Sequence, residues 1–228
     1  MSSDWMPRVP EPELMDLKWE AEAYANADFA AVHQATVDRM LGLIEPSCER
    51  RLLDLGTGPG DFLIRIGKAR PTWTLVGLDG APVMLELARN ALREAGLEER
   101  ARLVLGDAKR APLQERSFDI VFSNSILHHV ADPVSFWREV KRLVKPGGEV
   151  FVCDLIRPPT LEEARRLLDE HARGESELLR EEFYRSLLAA YTVDEVRAQL
   201  REAGLEMLEA RQVTDRHLDI FGRVPVEP

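Results

Sequence analysis

Apolar residues recur along this chain at two different periods, and the places where the period changes divide it. From about residue 19 to 43, Ala23, Ala27, Ala30, Val37, Met40, Leu41 and the following Ile44 recur at helical spacing and predict one or two amphipathic helices. After them come five short apolar runs, "RLLDLG", "TLVGLD", "RLVLGD", "FDIVFSNS" and "EVFVCDL", separated by helical stretches or loops. That βαβ rhythm predicts a mainly parallel sheet covered on both faces. Punctuation agrees with the periods. A helix over residues 62–69 is closed by Pro71, and one over 82–95 by Gly96. Asp132 and Pro133 supply the N-cap and first position of a helix running to Val144, and "KPGG" then predicts a tight turn into the fifth strand.

Beyond Leu155 the rhythm breaks. Residues 160–171 and 177–190 are successive helical patterns with no strand between them, so residues 157–191 are expected to form a helical insertion over the sheet. Thr192 and Glu195 fit a capping box, opening a helix that ends at Gly204. The runs "EMLEARQV" and "RHLDIFGR" predict two closing strands as an edge hairpin, which makes seven in all. The expected fold is α/β and Rossmann-like, with residues 1–45 as an N-terminal arm and helices forming a lid, and residues 46–228 as the main domain. Prolines in "PRVPEPEL" forbid a continuous helix near the N-terminus and predict an extended, mobile arm.

Composition narrows the function classes. A chain of 228 residues with 45% hydrophobic content supports one core plus an appendage. A formal net charge of -10 works against binding nucleic-acid phosphates or anionic lipid, so no nucleic acid and no membrane are expected as partners. No apolar run approaches bilayer length and no leader is read at the N-terminus, which predicts a cytoplasmic protein. Cys48 and Cys153 make neither a disulfide framework nor a metal-ligand pattern, and no metal is expected.

The sharpest signal is "LLDLGTGPGDF", in which a strand ends in Asp54 and turns through Gly56, Gly58 and Gly60. Glycines at the carboxyl end of a parallel strand permit positive φ and a close ligand approach. Two further strands also end in acids. Asp79 lies 25 residues after Asp54, which suits hydrogen bonds from a ribose diol, and Asp107 follows the third strand, where a carboxylate can accept from an adenine amino group. Asp54 and Asp61 flank the glycines; they would repel a pyrophosphate and attract an ammonium or sulfonium.

Residues 51–155 resemble a class I S-adenosylmethionine-dependent methyltransferase. "LLDLGTGPG", "VGLDGAPVML", "GDAKRAPLQERSFDIVFSNSILHHVADP" and "LVKPGGEVFVCDL" follow the order of that family's motifs. The resemblance implies S-adenosylmethionine as cofactor and S-adenosylhomocysteine as product. It places Asp54, Gly56, Thr57 and Gly58 around the methionine portion, and Asp79 with Gly80 at the ribose. Met84 would lie over adenine, Asp107 and Ala108 at its edge, and Asn124 and Ser125 near the reactive methyl.

Methyl transfer from a sulfonium is an in-line displacement, so a general base is optional. His128 and His129, just past the fourth strand, are the catalytic candidates, against a structural turn as the plainer reading. Tyr24, His33, Tyr184, Tyr191 and Arg157 are candidates for lining an acceptor pocket, against ordinary packing. Asp154 and Arg157 could contact an acceptor or pair with each other. The resulting expectation is methyl transfer to a small-molecule acceptor. Three alternatives stay open: a non-catalytic cofactor-binding scaffold, a methyltransferase acting on protein or nucleic acid, and a nicotinamide-dependent oxidoreductase.

Overall fold

The computed structural model describes residues 5–12, 19, 21, 25, 29–47 and 49–226. Tyr24 and Cys48 lie outside them. Helix α1 (Ala30–Leu43) precedes strand β1 (Arg51–Leu55), helix α2 (Asp61–Ala69), β2 (Thr74–Asp79), α3 (Pro82–Glu94), β3 (Ala101–Leu105) and β4 (Phe118–Asn124). A 3-10 turn (Leu127–His129) leads to α4 (Pro133–Leu143) and β5 (Val144–Leu155), followed by α5 (Leu161–His171), α6 (Glu177–Ala189), α7 (Val193–Ala203), β6 (Glu209–Gln212) and β7 (His217–Arg223).

The seven strands form one sheet in the order β3-β2-β1-β4-β5-β7-β6. Strands β1 to β5 pair in parallel, while β7 runs antiparallel to both β5 and β6. Order reverses between β1 and β4, the position at which such sheets open a crevice at their carboxyl ends. Each face carries its own core. One joins Leu53, Leu55, Phe136 and Trp137, and the other joins Leu52, Leu63, Ile66 and Phe151. Because adjacent residues of β1 serve opposite cores, the strand is buried almost throughout, as a continuous apolar run in a parallel strand predicts.

The caps follow the sequence closely. Asp132 accepts from the Ser135 amide, Thr192 and Glu195 complete the capping box, and Gly204 ends α7 in the left-handed region. "KPGG" differs from its expected turn. Strand β5 already begins at Val144, and residues 145–148 bulge within it, so pairing jumps from Phe118↔Val144 to Ile120↔Glu149.

The insertion comprises α5 and α6, with Leu155, Leu167, Leu187 and Ala190 as a small core. Two backbone bonds hold the described arm on it: the Met6 amide donates to Pro159 and the Val9 amide to Leu188. Arg8 donates to the carbonyls of Ala189 and His128, and its guanidinium lies 4.2 Å from the Tyr191 ring centroid. Over residues 6–9 the arm is therefore hydrogen-bonded to the insertion and to the turn after β4. Among the described residues no helix is long and apolar enough to cross a membrane.

Candidate active site

Two acids and a turn define the crevice. Gly56, Gly58 and Gly60 all have positive φ, and the backbone between them folds onto β2. The amides of Gly56 and Thr57 both donate to the Leu78 carbonyl, that of Gly58 donates to Asp79 Oδ2 at 2.8 Å, and that of Gly60 donates to the Thr57 carbonyl. Pro59 has no N–H. The loop's donors are thus satisfied within the protein, a different arrangement from the outward-facing amides of a phosphate cradle. A Cβ on Gly58 would enter open space, whereas one on Gly56 would stand 2.3 Å from Ile126 Cγ2.

Asp54 lies beneath this loop. It is 1% exposed and accepts from the Thr57 hydroxyl at 2.8 Å. Burial, reinforced by the charge of Asp79 and opposed by the Thr57 hydrogen bond, raises its carboxyl from 3.8 to about 7. Asp79 accepts from the amides of Gly58 and Ala81, yet burial still leaves its carboxyl raised. A carboxylate has about four lone-pair sites, so Asp79 retains capacity for a diol. A buried acid and a half-buried one beneath a loop without free donors, beside a space that a Gly58 Cβ would enter, fit a cationic nucleoside ligand such as S-adenosylmethionine.

The other strand ends lie around the same edge. Asn124 donates to the Ser125 hydroxyl at 2.9 Å, and Ser125 holds φ +55, an uncommon conformation for a residue with a side chain. Gly80 joins Asp79 to Ala81; Met84 is buried against Ala21 and Ala81. Exposed Asp107 accepts from the Lys109 amide, and half-buried Ala108 follows it.

Asp61 corrects the charge expectation. It binds His33 Nδ1 at 2.8 Å and Arg65 Nε at 2.6 Å. Burial pushes its carboxyl up, but these two hydrogen bonds outweigh burial and hold it low. The flanking negative charge is therefore paired with Arg65, and His33, between the tilted rings of Phe29 and Phe62, joins α1 to α2 through its bond to Asp61.

Two further acceptor candidates make hydrogen bonds within the protein. Arg157 is 4% exposed, donates to the Ala190 carbonyl and binds Glu195 Oε1 at 2.7 Å, with no pairing to Asp154. Tyr191 is buried and donates its hydroxyl to the Val130 carbonyl, beneath Arg8. Tyr184 remains half-buried on α6.

The histidine pair lies where β4 ends. His128 Nδ1 meets Asp154 Oδ1 at 2.6 Å, and Asp154 also accepts from the amides of Leu127 and Leu155. On its other side, His128 Nε2 lies 3.4 Å from Glu11 Oε1. Burial pushes the His128 pKa down, but Asp154 and Glu11 together raise it above its ordinary value. His129 shows the reverse: burial, then the charge of His128, lower it to about 3. Its Nδ1 lies 3.3 Å from Glu11 Oε1 and 3.1 Å from the Pro12 carbonyl. No sequence spacing announced Glu11 as a member of this group, because it reaches the site through the fold.

A family model described as "Methyltransferase domain" matches residues 47–204. The chain is 28% identical over 208 residues to the 27-O-demethylrifamycin SV methyltransferase of Amycolatopsis mediterranei, covering 89% of this chain and 73% of that protein. It is 36% identical over 113 residues to the demethylmenaquinone methyltransferase of Roseiflexus castenholzii, covering 50% of this chain and 45% of that one. In fold it resembles an S-adenosylmethionine-dependent methyltransferase from Aquifex aeolicus, with TM-score 0.68, 16% identity and coverage of 90% and 97%. A second likeness is to phosphoethanolamine N-methyltransferase 2 of Haemonchus contortus in complex with S-adenosylmethionine, with TM-score 0.70, 17% identity and coverage of 92% and 58%. With a matching family model over most of its length and the corresponding sheet, the chain belongs to the class I S-adenosylmethionine-dependent methyltransferases.

Proposed function

We propose that this enzyme methylates a small molecule and that its own strand-end residues hold the cofactor. When bound, S-adenosylmethionine supplies a methyl carbon on a sulfonium, activated for in-line displacement. Asp54 would attract the cofactor's ammonium, with Gly56, Thr57 and Gly58 shaping the space for its methionine portion. Asp79 and Gly80 would hold the ribose, Met84 would face the adenine, and Asp107 and Ala108 its edge. Asn124 and Ser125 would border the reacting centre.

The observation that carries the small-molecule reading is the covering over the histidine turn. Residues 6–9 are bonded to Pro159 just before α5 and to Leu188 near the end of α6 while Arg8 reaches His128, an enclosure suited to a compact acceptor. The net charge of -10 and the small-molecule acceptors in the relatives' names support the same reading. In this enclosure the protein's contribution is alignment and water exclusion. We assign His128 and His129 to holding the arm: the first is closed between two carboxylates, and the second is too weak a base to accept a proton near neutral pH.

Calorimetric titration of S-adenosylhomocysteine into wild-type protein and Asp79→Ala, with NAD as control, tests the cofactor assignment. Micromolar binding that the variant loses is expected; equal binding by both proteins would remove Asp79 from the ribose site. Labelled methyl transfer into size-fractionated cell extract tests the acceptor. Label confined to protein or nucleic acid would overturn the small-molecule reading.

A further inference from the structure

Glu11 presents a problem in hydrogen bonding. Its side chain is 6% exposed, and Oε1 has no hydrogen-bond partner. A buried carboxylate oxygen without a donor is costly and needs a physical explanation. The same oxygen lies 3.4 Å from His128 Nε2 and 3.3 Å from His129 Nδ1, with neither nitrogen aligned as a donor to it. The three atoms all lie within 4.8 Å of one another.

These separations have a simple meaning. In a tetrahedral site with metal–ligand bonds of about 2.0–2.1 Å, neighbouring ligand atoms stand about 3.3–3.4 Å apart. The surrounding group agrees. Asp154 accepts from His128 Nδ1, which fixes the tautomer and leaves Nε2 as the ring nitrogen on the Glu11 side. Metal-binding imidazoles are characteristically held by a carboxylate in this way.

We propose that Glu11, His128 and His129 form a divalent transition-metal site that latches the N-terminal arm over the active-site edge, His129 Nδ1 giving up its proton and its bond to the Pro12 carbonyl when the ion binds. Two imidazole nitrogens and one carboxylate oxygen suit zinc or cobalt better than the oxygen-preferring magnesium or calcium. Since Glu11 comes from the arm and both histidines from the turn after β4, the ion joins segments more than a hundred residues apart in sequence. This differs from the more exposed Glu170, His171 and Asp215 group, whose members come from the end of α5 and the β6–β7 connection. The proposal does not depend on which acceptor the enzyme methylates.

The test uses full-length protein stripped with a chelator and titrated with Co²⁺, followed by Zn²⁺ competition. Visible ligand-field absorption and one ion retained per chain after desalting are expected for wild type and for His171→Ala. Glu11→Gln and His129→Ala should each lose the retained ion. Trypsin provides a second readout, because Arg8 lies in the arm: Zn²⁺ should slow cleavage there by about tenfold or more in wild type and leave the Glu11→Gln rate unchanged. A wild type that retains no ion, variants that retain it equally, or cleavage insensitive to Zn²⁺ would each overturn the site.

Discussion

Asp54→Asn isolates the ionisation beneath the glycine loop. In the unfolded chain Asp54 releases its proton near 3.8, whereas in the fold, where burial dominates, it keeps the proton until about 7. Between those values the folded state binds more protons than the unfolded state, so stability falls as pH rises. The stabilisation is fully present below 3.8 and lost as pH passes through about 7. At 1.36 kcal/mol per pH unit, the gap corresponds to about 4 kcal/mol. Asparagine preserves the shape and can still accept from the Thr57 hydroxyl, but it does not titrate. Relative to wild type, the variant should gain little at about pH 4 and up to about 4 kcal/mol at about pH 8, as measured by urea denaturation across that range. A stability difference independent of pH would refute the reasoning.

The same substitution reads the ligand. An ammonium beside Asp54 favours the carboxylate, so S-adenosylhomocysteine must drive a proton off the group below about pH 7. Wild-type affinity should therefore rise toward that pH by up to about tenfold per unit and then level off. Calorimetry in buffers of different ionisation enthalpy would detect the released proton. Asp54→Asn should bind more weakly and without this slope; an identical pH profile would place the ammonium elsewhere.

Gly56→Ala combines a positive φ with a Cβ 2.3 Å from Ile126 Cγ2, and should cost about 2–4 kcal/mol by urea denaturation. Adding Ile126→Ala should return the steric share, and failure to do so would locate the cost in the backbone alone. Arg39→Ala leaves Asp219, 0% exposed, without its 2.7 Å partner, and should cost about 3–5 kcal/mol, which Asp219→Asn should partly restore. Thr192→Ala removes half of the capping box and should lower stability by about 1 kcal/mol; a change smaller than the error of the denaturation curves would refute the cap's contribution.

What the sequence made legible was local. Strand ends, caps and the glycine loop follow from residues a few positions apart, and the sheet could be anticipated because its parallel strands are apolar on both faces. Contacts closed by the fold were less accessible. Arg157 looked available to an acceptor because its partner, Glu195, lies 38 positions away on another element. Tyr191 looked available because Arg8 and Val130 cover it only after the arm has crossed the insertion. The turn expected at residues 145–148 became a bulge because β4 continues to pair on both sides of it. The φ of Ser125 has no sequence signature at all, since serine is not a residue that announces a left-handed backbone.

Under the proposed cofactor placement, the acid beside the glycine loop lets the charge pattern and the fold set specificity jointly. Counted along the chain, Asp54 and Asp61 make two negative neighbours for any ligand. In the fold, Arg65 pairs with Asp61 and His33 hydrogen-bonds to it, which leaves Asp54 as the acid beside the loop without a cationic partner among those described. A permanently ionised Asp54 would be costly in the apo protein, and its raised pKa lets it stay largely neutral in mildly acidic solution. An approaching cation supplies the favourable charge interaction that ionisation otherwise lacks. A pyrophosphate would meet the opposite response: it would suppress ionisation and find the amides of Gly56, Thr57, Gly58 and Gly60 already bonded within the protein. Under the proposed cofactor placement, discrimination between a sulfonium nucleoside and a dinucleotide would arise from where the loop's hydrogen bonds end as much as from the number of acids around it.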